Sequence, residues 1–140
     1  MTDITEPRPA GDPQPTIVYI EDDPGCADLV RDALRELCEV LSAPDGPRGL
    51  DLVAATRPAL VLVDLHLPTL TGFQVIEHLR SKPETASLPV VAISARVMHQ
   101  ERERALALGC RGFVAKPFRL DELREEIRAA LAGVDPASEG

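Results

Sequence analysis

The chain has 140 residues, 44% of them apolar, and carries a formal net charge of −8 at pH 7. That length suits a single domain with a real core, while the acidic balance and the dispersed Lys and Arg exclude a basic surface of the kind that phosphate backbones select. No apolar run approaches the roughly 20 residues needed to cross a membrane, and residues 1–15, with four prolines and no apolar stretch, are not a secretory leader.

Residues 1–15 read as a disordered tail, since proline and polar residues bury too little to offset the entropy of ordering. A strand follows, and Tyr19-Ile20 runs into Glu21-Asp22-Asp23. A helix starts at Pro24 with Asp23 as its cap, and Cys26, Leu29, Val30, Ala33, Leu34 and Leu37 give it one apolar face. Val40 to Ala43 is a short strand, and Asp45-Gly46 turns into a second helix carrying Leu50, Val53 and Ala54. Leu60 to Val63 is apolar at every position, as expected of a strand covered on both faces, and runs into Asp64. Gly72 opens a third helix with Phe73, Ile76 and Leu79 inward. Pro89 to Ile93 is another apolar strand and meets Ser94. The fourth helix, Met98 to Leu108, is charged all round over residues 100–104, which predicts the weakest packing of the five; Gly109 ends it. Gly112 to Ala115 is the last strand and leads into Lys116-Pro117. Leu120, Leu123, Ile127 and Leu131 line the last helix, Gly133 stops it, and residues 134–140 read as a flexible tail. The expected organisation is a domain over residues 16–133 between two tails, read as a complete small protein with no output domain behind it, the alternative being a fragment of a hybrid kinase.

Strands alternating with helices imply an α/β fold, a parallel sheet between two helix layers with right-handed crossovers. Ligands of such sheets bind outside the carboxyl ends of the strands. An acid cluster (Glu21, Asp22), a lone Asp64, the Ser94 hydroxyl and Lys116 would meet at that edge, a combination suited to magnesium and a phosphoryl group. A carboxylate such as Asp64 can attack phosphorus to form an acyl phosphate, though taken alone it also reads as a helix-capping Asp in a loop. The three acids alone would read as a solvated helix start, but carboxylates beside Asp64 repel one another unless a cation binds them. Only two lysines, Lys82 and Lys116, stand among 13 arginines, which marks Lys116 as a place where a compact point charge is wanted. Cys26, Cys38 and Cys110 are an odd number without paired ligand spacing and read as reduced thiols of a cytoplasmic protein.

These residues, in this order and at these separations, resemble the receiver domain of two-component response regulators, over about residues 16–133. Pro68 and Gly72 match the family's loop after the acceptor Asp, Asp45-Gly46 matches its turn after the second strand, and Lys116-Pro117-Phe118 matches its signature at the last strand end. The resemblance implies a flavodoxin-like five-stranded sheet of order 2-1-3-4-5. It implies Asp64 as phosphoacceptor, with Lys116 and Ser94 as its catalytic partners. It implies Mg2+, with Mn2+ able to substitute, held by Glu21, Asp22, Asp64 and the backbone carbonyl of His66. It further implies a cis bond between Lys116 and Pro117, and Ser94 and Phe113 as switch residues. His66 and Arg96 would set the lifetime of the phosphorylated state. The donor would be a sensor histidine kinase or histidine phosphotransfer protein docking on the first helix. Output would be by contact with a downstream protein, with no nucleic acid or membrane partner and a possible dimer through the face of the fourth and fifth helices. No enzymatic activity is expected beyond the domain's own phosphorylation and slow dephosphorylation. Thr71 stands where the family often has an acid or Asn, and Gly49 where Ala is common.

Three other readings compete. A phosphorylation-independent receiver-like binding module would be expected to lack an acid, the acceptor or the Lys, and none is missing. A haloacid-dehalogenase-type phosphatase needs a second Asp two residues after its nucleophile, where this chain has His66. Nucleotide binding lacks both a Gly-x-Gly-x-x-Gly and a phosphate loop.

Overall fold

The computed structural model describes residues 14–95 and 99–133. The expected tails, apart from Gln14 and Pro15, lie outside the described residues, as do Arg96 and the expected helix start at Met98.

Among the described residues five strands and five helices alternate: β1 (Thr16–Ile20), α1 (Pro24–Ala33), β2 (Glu39–Ala43), α2 (Gly46–Thr56), β3 (Leu60–Asp64), α3 (Gly72–Arg80), β4 (Val90–Ser94), α4 (His99–Ala107), β5 (Gly112–Ala115) and α5 (Leu120–Leu131). The strands form one parallel sheet in the order β2-β1-β3-β4-β5, as expected. β3 and β4 are buried at every position, which is why they are apolar throughout rather than alternating.

The sheet separates two apolar clusters. Ile17, Tyr19, Leu60, Leu62, Val91, Ile93 and Val114 face α1 and α5. Val18, Ile20, Val61, Val63, Val90 and Ala92 face α2, α3 and α4. Successive strand residues point to opposite faces, so the parity of a residue decides which layer it meets. Parity also carries past the strand ends, where it sorts the polar residues of the site.

Local signals place the helix starts. Asp23 accepts from the N–H groups of Gly25 and Cys26, and Asp45 from that of Arg48. Thr71 and Gln74 form a reciprocal capping box. The apolar face expected on α1 needs correction. The helix ends at Ala33, its buried positions are Ala27 and Val30, with Leu34 buried as the cap, and Leu29 is 52% exposed. Ala54 on α2 and Leu120 on α5 are likewise exposed. Each lies just outside an apolar stripe that is narrower than the run of apolar residues suggests.

On α4 only Ala105 is buried, as the charged pattern predicts. Polar contacts anchor this helix instead. The Arg80 guanidinium, at the end of α3, donates to the carbonyls of Leu108 and Gly109 beyond α4 and to those of Ala86 and Leu88 before β4. Arg104 lies 4.1 Å over the Phe73 ring and 3.5 Å from Glu77. Among the described residues no helix is long and apolar enough to cross a membrane.

Candidate functional site

At the carboxyl edge of the sheet, β1 delivers Glu21 and Asp22, β3 delivers Asp64, β4 delivers Ser94, and the turn after β5 delivers Lys116. Parity puts Glu21, Asp64 and Lys116 in line with Tyr19, Leu62 and Val114 and so on the α1/α5 side, whereas Ser94 follows Ala92 toward α3 and α4.

Lys116 Nζ stands between two carboxylates, donating at 2.8 Å to Glu21 Oε1 and at 2.8 Å to Asp64 Oδ2. Both acids are buried, Glu21 at 3% and Asp64 at 5% exposure. A charge in such a place is costly unless paired and hydrogen-bonded, and each has further donors. The Tyr19 hydroxyl donates to Glu21 Oε1 at 2.9 Å and the Asp23 N–H to Oε2 at 3.2 Å. The His66 N–H donates to Asp64 Oδ1 at 2.8 Å. Burial still holds the Glu21 carboxyl above its ordinary pKa, with the Asp64 charge adding to the rise, against the lowering pull of Lys116 and Tyr19. For Lys116, burial works to lower the pKa, but its bonds to Asp64 and Glu21 outweigh that and keep it above its ordinary value. Burial, the Cys26 thiol 3.4 Å away and the Glu21 charge push the Tyr19 phenol far up, so it remains a donor.

Glu21, Asp22 and Asp64 each offer a carboxylate oxygen, and the three atoms lie within 4.8 Å of one another. Glu21 and Asp64 are buried and Asp22 is exposed. Three hard oxygen donors with one solvent-facing side suit a small divalent cation that keeps part of its water shell.

The Lys116–Pro117 peptide bond is cis. Gly72 packs against the end of β3; a Cβ there would meet the carbonyl oxygen of Asp64 and lie 2.6 Å from Leu65 Cα. A residue without a side chain is therefore what lets α3 begin beside Asp64. Phe113 is half-buried on β5, beneath the Arg102 guanidinium at 5.9 Å.

Ser94 is fully buried and belongs to a second group of contacts. Its hydroxyl donates to Glu101 Oε1 at 2.9 Å and lies 3.1 Å from His66 Nε2, which is 3.4 Å from Glu101 Oε2. The strand-end residues Glu21, Asp22, Asp64 and Lys116 thus converge, and His66 and Ser94 meet one another beside them. Arg96 lies outside the described residues.

Sequence reasoning missed Tyr19, Glu101 and Arg80. Tyr19 had a usable signal: it is two residues before Glu21 on a strand, hence on the same face, and a buried phenol needs a partner. Glu101 looks like every other charge in residues 100–104, and only the register of α4 turns it inward.

The chain matches the model of the response regulator receiver domain over residues 17–128. It is 34% identical over 122 residues to the DNA-binding dual master transcriptional regulator RpaA of Synechocystis, spanning 86% of this chain and 51% of that protein. It is 36% identical over 115 residues to the transcriptional regulatory protein CiaR of Streptococcus pneumoniae, spanning 82% of this chain and 50% of that one. The match thus covers about half the length of these curated relatives, and only 12% of the sensor histidine kinase TmoS of Ectopseudomonas mendocina. Among solved structures, a putative response regulator from Chloroflexus aurantiacus superposes with a TM-score of 0.80 at 26% identity, over 85% of this chain and 98% of that one. A chemotaxis response regulator of Vibrio cholerae shares the fold, with a TM-score of 0.78 at 20% identity over 84% of this chain and 98% of that one. The chain belongs to the response regulator receiver domain family, the phosphoacceptor module of two-component signalling.

Proposed function

We propose that Asp64 is the phosphoacceptor of this receiver and that a phosphohistidine on a histidine kinase or phosphotransfer protein is its donor. The observation that carries this reading is the placement of Lys116 Nζ at 2.8 Å from Asp64 and 2.8 Å from Glu21, two buried acids at the carboxyl edge of the sheet. One Asp64 carboxylate oxygen attacks phosphorus, the P–N bond breaks, and its electron pair leaves with the donor imidazole. An acyl phosphate remains on Asp64. Lys116 then turns from carboxylate to phosphoryl oxygen, and Ser94 bonds another. The domain supplies positioning and charge neutralisation rather than a base.

Glu21, Asp22, Asp64 and the His66 carbonyl would hold Mg2+ or Mn2+, which neutralises the phosphoryl oxygens when bound. His66 and Arg96 would govern the attack of water on the acyl phosphate. Phe113 would turn as Ser94 moves, altering the face formed by α4, β5 and α5, through which output by protein contact or pairing of two copies would run. The start of α1 at Pro24, directly after the acid cluster of Glu21 and Asp22, supports docking of the donor on this helix. Reduced thiols and a cytosolic donor fit a cytoplasmic location, and domain limits of 16–133 fit the matched span.

The test is intact mass after incubation with Mg2+ and a small phosphodonor. A single phosphate adduct on wild type, absent from Asp64→Ala and lost in EDTA, is expected. An adduct that persists in Asp64→Ala would place the acceptor elsewhere. No adduct on wild type would favour a module that works without phosphorylation.

A further inference from the structure

We propose that Glu101 is a positioning residue that holds the Ser94 hydroxyl on the α4 side of the site, so that its grip sets how tightly a phosphoryl group is bound at Asp64. The inference rests on the phosphoacceptor reading of Asp64. Its basis is a count of protons. A serine hydroxyl has one proton to donate. A carboxylate can only accept, so the 2.9 Å contact from Ser94 Oγ to Glu101 Oε1 uses that proton. Bonding a phosphoryl oxygen on Asp64 needs the same proton. The two arrangements exclude each other, and Glu101 must be released before Ser94 can serve the phosphoryl group.

Three features make the grip firm. The acceptor is charged, which makes the bond roughly twice as strong as a neutral one. Ser94 is fully buried and the Glu101 side chain is only 20% exposed, so water competes poorly. His66 Nε2 lies 3.1 Å from Ser94 Oγ and 3.4 Å from Glu101 Oε2, closing a three-residue ring. With the hydroxyl proton given to Glu101, Ser94 Oγ can accept from His66 in the tautomer with its proton on Nε2, which completes the ring.

The placement of Glu101 gives the release a direction. Glu101 is in the first turn of α4, whereas the far end of that helix is clamped by Arg80 through the carbonyls of Leu108 and Gly109. Loss of the Ser94 bond loosens the end nearest the site and leaves the other clamped.

The experiment titrates Mg2+-loaded protein with beryllium fluoride, a phosphoryl mimic, by calorimetry. It compares wild type, Asp64→Asn, Glu101→Gln, Glu101→Ala, Ser94→Ala and the Ser94→Ala/Glu101→Gln double variant. Both Glu101 variants are expected to bind about tenfold more tightly than wild type, equivalent to about 1.4 kcal/mol. In the Ser94→Ala background the Glu101→Gln gain should shrink below about twofold, because no hydroxyl is left to release. Equal affinity in wild type and both Glu101 variants would overturn the proposal while leaving Asp64 as acceptor. A full gain without the Ser94 hydroxyl would also overturn it, reducing Glu101 to a general repulsive charge. Binding unaffected by Asp64→Asn, or absent from wild type, would overturn the acceptor reading and this proposal with it.

Discussion

Glu21, Asp64 and Lys116 stand on an apolar foundation, whereas Ser94 is gripped by a helix that has almost none. Beneath the first group lies a continuous cluster that includes Tyr19, Leu62, Val114, Leu123 and Ile127. The helix holding the second buries only Ala105 and is attached by Glu101 to Ser94, by Arg102 to the Phe113 ring, and by Arg104 and Arg80 to α3 and its surroundings. Apolar burial cannot be undone without exposing surface, while a hydrogen bond can be exchanged for another of similar strength. The half that must hold mutually repelling charges is thus built from the first kind of contact, and the half that must respond is built from the second.

The sharpest way to break this contrast is to remove the cation of the rigid half. Lys116→Ala leaves Glu21 and Asp64 buried without their shared partner, so we expect a loss of about 3 kcal/mol in EDTA, read from urea midpoints. Added Mg2+ should recover part of that loss, since a divalent ion then takes over the neutralisation. A variant as stable as wild type in EDTA would mean that the two acids are not held by Lys116.

Next in size is Arg80→Ala, expected to cost about 2 kcal/mol because several carbonyls lose a charged donor. Hydrogen exchange should rise at Leu108 to Arg111 and along α4 while β1 and β3 keep their protection. Uniform deprotection would show that the two halves are not separable.

How much of this is legible in the sequence follows the same division. The apolar runs at Leu60 to Val63 and Val90 to Ile93 break sharply into Asp64 and Ser94, and strand parity places Glu21 on the same face as Tyr19. These signals are local, and they position the acid and lysine half and Ser94 itself, though not its partner. The attachments of α4 are not local. Arg80 reaches carbonyls 28 and 29 residues away, and the choice of Glu101 over its charged neighbours depends on how the helix lands on the sheet. Leu29 failed for a related reason: apolar spacing on α1 is compatible with more than one stripe, and packing selected the one through Ala27, Val30 and Leu34.

A third prediction concerns pH. Burial raises the Glu126 carboxyl above its ordinary value of 4.5, opposed by the Phe113 N–H and the Arg102 charge. An acid with a raised folded pKa binds its proton more tightly when folded. Its effect therefore favours the folded state at low pH and fades as pH climbs from about 4.5 through the folded value. Glu126→Gln should remove this slope and stabilise the protein at neutral pH, with α5 retained. An unchanged slope in urea midpoints between pH 4 and 8 would assign it to another group. The smallest effect is expected from Arg102→Ala, about 0.5 kcal/mol for an exposed cation over the Phe113 ring, with altered Phe113 ring resonances as the more sensitive readout.

Gly49, which stands where Ala is common in the family, has a counterpart one residue before the acid cluster. A Cβ at position 49 would lie 2.6 Å from Ile20 Cγ1, so the isoleucine occupies the room a methyl would take. Position 49 cannot gain a side chain while Ile20 stays as it is. A lineage that acquires Ala at 49 must first trim Ile20, most simply to Val, or else press the β1 backbone toward the edge where Glu21 begins. Descendants and redesigned variants of this chain should carry the two positions as a single inherited unit, large beside absent or small beside small.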